Sequence, residues 1–127
     1  GRYSEAEPLY QEALAMRKRL LGDKHPDVAR SLNNLAALYD NQGRYSEAEP
    51  LHQEALTVRK QLLGDEHPDV GLSLWHLGVM NYRKQQFEEA KTLLLEALSI
   101  FQKVLGENHP NTQKLLSWLN TVQQKSS

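Results

Sequence analysis

Histidines are the residues of this chain that could bind a metal or move a proton, and three of the five recur at one spacing. His25, His67 and His109 stand 42 residues apart, and each is followed by proline. A zinc site needs several N, S or O ligands converging on one point. Equivalent turns one repeat apart along a linear array cannot supply that convergence, so each histidine reads as a turn residue ahead of a helix-starting proline. His52 and His76 have no His, Cys or carboxylate companion at ligand spacing. The acid pairs Glu88-Glu89 and Glu47/Glu49 fall at helix starts, where the helix dipole accounts for them. No GxSxG, no HExxH and no glycine-rich phosphate loop occurs. These residues predict no catalytic group, no metal site and no cofactor, hence no enzyme.

Composition narrows the remaining classes. The chain has 127 residues, 39% of them hydrophobic, which suits one domain with a buried core and a charged surface. Fifteen Lys and Arg against 16 Asp and Glu give a net charge of -1, too little field to hold nucleic acid or an anionic membrane. Cysteine is absent, so there is no disulfide framework, and a reducing compartment fits. The opening GRYSEAEPLYQEA has no signal-like apolar stretch, and no apolar run reaches membrane-spanning length. The expectation is a cytoplasmic protein.

The elements that position these residues follow from a repeat. GRYSEAEPL occurs at residues 1–9 and again at 43–51, and cutting the chain every 42 residues aligns 1–42, 43–84 and 85–126 without a gap. The first two units share 26 of 42 positions. The third keeps the frame: Tyr3, Tyr45 and Phe87 correspond, as do Ala13, Ala55 and Ala97, and Gly22, Gly64 and Gly106. Such self-similarity marks a stacked array in which each unit buries its apolar face against its neighbours. A single repeat domain over 1–127 is expected, cut from a longer array.

Each unit carries two helical patterns. Ala48, Leu51, Ala55, Val58 and Leu62 recur at spacings of three and four, one stripe of a helix. Ser46 and Glu49 have capping-box spacing, Tyr45 is placed to staple, and Gly64 stops the helix. Val28, Leu32, Leu35, Ala36 and Tyr39 trace a second amphipathic helix that begins after Pro26 and ends at Gly43. Six helices are predicted, at 4–21, 27–41, 46–63, 69–84, 88–105 and 111–124, followed by a frayed QQKSS tail. Short connections make successive helices antiparallel neighbours, so the fold class is all-α, an α-solenoid of helix pairs.

Leu32, Leu35, Ala36, Tyr39, Ala48 and Ala55 together resemble the tetratricopeptide signature. The 42-residue period, SLNNLAALYDNQGRYSEAE and the recurring LG(D/E)xHP are similar to the repeats of kinesin light chain and its bacterial counterparts. Asn81 at the Tyr position, Gln85 at a turn glycine and Asn120 at a small-residue position depart from the pattern. The resemblance implies noncatalytic protein binding, with the first-type helices 27–41, 69–84 and 111–124 lining a concave face that holds an extended peptide. Carried onto this chain, that face is Arg30, Asn33, Asn34, Ala37 and Asn41, then Leu72, Trp75, His76, Val79 and Arg83, with Lys114, Ser117, Trp118 and Thr121 on the last helix. Asn side chains suit a peptide backbone, Trp75 an anchor, and Arg30 with Arg83 an acidic residue. Two readings stay open: a peptide-binding face, or a purely architectural array in which these residues are solvated or packed. The first helix has no preceding partner for Tyr3, Ala6, Tyr10 and Ala13, which predicts self-association there. The divergent last helix reads as a natural end.

Overall fold

The computed structural model describes residues 2–126, and they form six helices with no strand among them. These are α1 (Arg2–Leu21), α2 (Pro26–Asn41), α3 (Tyr45–Leu63), α4 (Pro68–Arg83), α5 (Phe87–Val104) and α6 (Pro110–Ser126). No described helix is long and apolar enough to cross a membrane. The chain divides into two compact units, Gly1–Leu62 and Leu63–Ser127.

In the first unit the stripe of α2 is buried along its whole length, from Val28 and Leu32 at 0% exposure to Tyr39 at 6%. Val28, Ala29 and Leu32 pack with Ala55 and Val58 of α3, and Leu14 and Leu51 lean on the same cluster. The end of the α3 stripe behaves differently, since Leu62 is exposed. Polar links tie the three helices: Lys18 pairs with Glu54 at 2.8 Å, and Arg17 donates to the Ser31 hydroxyl.

Helix α3 does not start with a Ser46 capping box. It begins at Tyr45, so Ser46 is already helical, and the Arg44 carbonyl accepts from the Glu47 and Ala48 amides. The Arg44 guanidinium reinforces this start. It binds Glu47 at 2.5 Å and Glu7 of α1 at 2.7 Å, and lies 4.4 Å over the Tyr39 ring. Tyr39 in turn donates to Glu7 and accepts from Gln11. The side-chain hydrogen bonds to Glu47 and then Glu7 raise the Arg44 pKa above its ordinary value, and the bond from Arg44 lowers that of Glu47.

The histidine turns are more than spacers. His25, His67 and His109 each accept through Nδ1 from the backbone N–H two residues on, at 3.1, 3.0 and 3.1 Å. His25 and His67 are thereby the N-caps of α2 and α4, a role usually taken by Ser, Thr, Asp or Asn. His109 makes the same bond at the start of α6.

In the second unit α4 and α5 approach closely at two glycines. A β-carbon on Gly71 would lie 2.6 Å from the Phe101 ring, and one on Gly78 2.6 Å from Leu94. Phe101 and Leu94 are themselves fully buried. The turn from α4 to α5 repeats the geometry of the turn from α2 to α3. Gly43 donates to Asp40 and Arg44 to Tyr39, just as Gln85 donates to Tyr82 and Gln86 to Asn81, two Schellman turns. Gln85 therefore holds φ at 65° where its counterpart Gly43 holds 74°. Helix α6 runs to Ser126, so Gln123, Gln124 and Lys125 are helical rather than a frayed tail. No glycine or proline stops it earlier, and Val122 is fully buried one turn before the end.

Candidate functional site

On α2 in the first unit, Arg30, Asn34, Ala37 and Asn41 are exposed and follow one another at helical spacing, forming a continuous outward stripe. Arg30 is ion-paired with Asp27 of its own first turn at 3.4 Å. Asn33 does not belong to this stripe. It is 6% exposed, because it lies four residues after Ala29 and three before Ala36, both of which are fully buried. Its amide oxygen lies 3.4 Å from Nδ1 of His52 on α3. Asn33 packs between helices and is no part of an accessible face.

His52 also departs from the sequence reading. It is 1% exposed, and its Nε2 lies 2.8 Å from the Asp40 carboxylate, so it has a carboxylate companion twelve residues back along the chain. The two ring nitrogens thus face Asp40 and Asn33, one on each side of the imidazole. One histidine and one carboxylate make an internal polar clamp. Among the described residues no group of three His, Cys, Asp or Glu could hold a metal ion. Periodicity sets His52 on the flank of the α3 stripe, four residues after Ala48 and three before Ala55, but could not pair it with Asp40 in the last turn of α2.

In the second unit the corresponding stripe of α4 is Leu72, His76, Val79 and Arg83, with His76 and Arg83 exposed and Leu72 and Val79 half-buried. Trp75, beside this stripe, is half-buried, and its ring meets Phe101 of α5 edge to face with centroids 5.9 Å apart. On α6 the stripe continues as Lys114, Trp118 and Thr121, with Ser117 alongside. Here α4 and α6 meet. Tyr82 and Trp118 pack at 81° with centroids 5.5 Å apart, and Phe87 packs against Tyr82 at 5.6 Å. Tyr82, Ser117, Trp118 and Thr121 line a shallow niche of about 240 Å³.

The first-type helices thus expose stripes of the same phase in each repeat, and the second-type helices α3 and α5 support them. Tetratricopeptide repeat models match residues 1–61 and 41–85, and a further one matches 72–111. The chain belongs to the tetratricopeptide repeat family, whose repeats mediate protein–protein interaction and are typically noncatalytic.

Within that family it resembles kinesin-light-chain-like repeats. It is 26% identical to BtubC (BKLC) from P. vanneervenii at a TM-score of 0.90, over 99% of this chain and 50% of that one. It is 27% identical to a kinesin light chain of P. anserina with nearly identical TPR-like repeats, at a TM-score of 0.88, over 99% of this chain and 60% of that one. The chain therefore spans about half to three fifths of the length of these solved structures. They share the all-α, helix-pair fold of the α-solenoid class. No curated protein matches the sequence.

Proposed function

We propose that this chain is a noncatalytic protein-interaction module whose first-type helices hold an extended segment of a partner protein, within a longer scaffold. The observation that carries this reading is the outward stripe of α2, where Arg30, Asn34, Ala37 and Asn41 stay exposed while every residue of the neighbouring apolar stripe is buried. Asn34 can both donate to and accept from an extended backbone, which has no internal hydrogen bonds of its own. On α4, Leu72, His76, Val79 and Arg83 repeat the stripe with more apolar surface, and Trp75 adds an aromatic edge. The near-neutral charge supports protein rather than nucleic acid as partner. Absence of cysteine suits the cytoplasm, where we place it. Selection of peptides from a displayed library, followed by alanine substitution at Asn34, Trp75, His76 and Arg83, tests the reading. Loss of affinity in at least one variant that stays folded supports it, and unchanged affinity in all four removes it.

A second reading, a self-associating array, is favoured by α1. That helix buries no residue, and Leu9 and Leu20 are 64% and 72% exposed. Contiguous exposed apolar surface of this kind tends to find a mate. Sedimentation at rising concentration tests it: the chain should associate and Leu20→Glu should not, whereas two equally monomeric proteins would contradict it.

A further inference from the structure

Near-identical repeats raise a pairing problem. Residues 1–21 and 43–63, which hold α1 and α3, differ only at 10, 15, 16 and 19 against 52, 57, 58 and 61. Helix α2 therefore meets a look-alike of its partner α3 in every copy of the chain, and a less similar one in α5. Misassembly and exchange of segments between copies are characteristic failures of such arrays. Of the four differences, Thr57 and Gln61 are exposed and Val58 replaces one apolar residue by another. His52 in place of Tyr10 is the one change of chemistry that α3 buries.

His52 is also where α2 makes its polar contact with α3. The ring stands between the Asp40 carboxylate at 2.8 Å and the Asn33 amide at 3.4 Å. Oδ1 of Asp40 and Nδ2 of Asn33 are already buried without a partner among the described residues, so a helix lacking His52 would leave the second Asp40 oxygen bare as well. A buried carboxylate stripped of its partner is strongly disfavoured. At this position α1 would present the Tyr10 phenol, with one hydroxyl in place of two ring nitrogens, and α5 would present Leu94.

The pair α4 and α5 is closed to α2 on steric grounds. Ala29 and Ala36 of α2 correspond to Gly71 and Gly78 of α4, where a β-carbon would come within 2.6 Å of Phe101 and Leu94. Helix α2 is thus too broad to take the place of α4. In the converse exchange α4 would bring Trp75 and Tyr82 to His52 where α2 brings Asn33 and Asp40, and no carboxylate.

We propose that the Asn33–His52–Asp40 cluster is a pairing key: it directs α2 to α3 and away from α1 and α5, in its own chain or in a second copy, and so keeps folding copies from exchanging segments. A buried polar residue fixes register in coiled coils in the same way, while lowering stability. The key acts on the choice of partner and not on the stability of the finished fold.

The test replaces all three residues together, Asn33→Leu, Asp40→Leu and His52→Leu, and compares this variant with the parent. The chain has no cysteine, so Gln53→Cys at an exposed position of α3 gives one site for donor and acceptor dyes on separate batches. The batches are either unfolded together and co-refolded, or refolded apart and then mixed. Surface association through α1 gives equal energy transfer in both protocols, whereas exchanged helices give transfer only after co-refolding. The parent should show no excess after co-refolding. The triple variant should keep the parent's helical circular dichroism and a denaturant midpoint at or above the parent's, yet show a clear excess. His52→Leu alone, which leaves Asp40 buried and bare, should lower the midpoint. A triple variant that refolds without excess overturns the proposal. So does one that fails to fold, because the cluster would then serve stability and not choice. A His52→Leu midpoint equal to the parent's overturns it too, since α2 would then accept a partner without the key.

Discussion

Gly71 lies so close to Phe101 that a β-carbon on it would sit 2.6 Å from the ring. Ala in place of Gly gains about 1 kcal/mol of helix propensity, but overpacking a rigid core costs about 1–3 kcal/mol. Phe101 is fully buried and cannot swing away, so the steric cost wins. Gly71→Ala should destabilise the protein by about 1 kcal/mol, read as a lower denaturant midpoint with unchanged slope. A higher midpoint would show that α4 and α5 can part at no cost.

Gln85 makes the opposite case. It holds φ at 65° in a turn where the first unit uses Gly43. A left-handed conformation costs a side-chain-bearing residue about 1–2 kcal/mol, and glycine's greater freedom when unfolded returns part of that. Gln85→Gly should therefore raise stability by about 0.5–1 kcal/mol in a denaturant titration. Gly43→Gln should lower it. Equal stability of Gln85→Gly and the parent would mean the turn is not strained.

The histidine turns predict a pattern of caps rather than ligands. His109→Ala removes the acceptor for the Asn111 amide and should cost about 0.5–2 kcal/mol, while His109→Asp, another capping residue, should retain most of it. Neither zinc nor a chelator should move the melting temperature of the parent. A chelator-sensitive melt would contradict the capping account.

Much of this was legible in the sequence, and the physical reason is redundancy. The 42-residue period places Val28, Leu32, Leu35, Ala36 and Tyr39 on one stripe, and all five are buried in α2. Tertiary contacts that break the period were not legible. Asn33 resembles its exposed neighbour Asn34 in sequence, but packing against His52 decides its place. The hydroxyl of Ser46 invited a capping box, while Arg44, bound to both Glu47 and Glu7, fixes the helix start one residue earlier. The Tyr82–Trp118 corner joins residues from different repeats, so it surfaced only in three dimensions.

Arg44 also sets an acid dependence. Its hydrogen bond lowers the Glu47 pKa below the ordinary value, so this carboxylate contributes stability that is complete above the unfolded value and is lost as pH falls through the folded one. Arg44→Met should return Glu47 toward the ordinary carboxylate range. Carbon-detected titration of the Glu47 carboxyl checks this, and an unshifted curve in the variant would show that the contact is not populated in solution.

The central claim is that the first-type helices form the binding surface. Amide hydrogen exchange of the chain with and without a library-selected peptide tests it most directly, since it reports which backbone segments gain protection. The account predicts added protection in α2 or in α4 and α6, with α3 and α5 unchanged, and loss of that protection in the alanine variants of Asn34 or His76. Protection confined to α1, α3 or α5 would place the partner on another face and contradict the account.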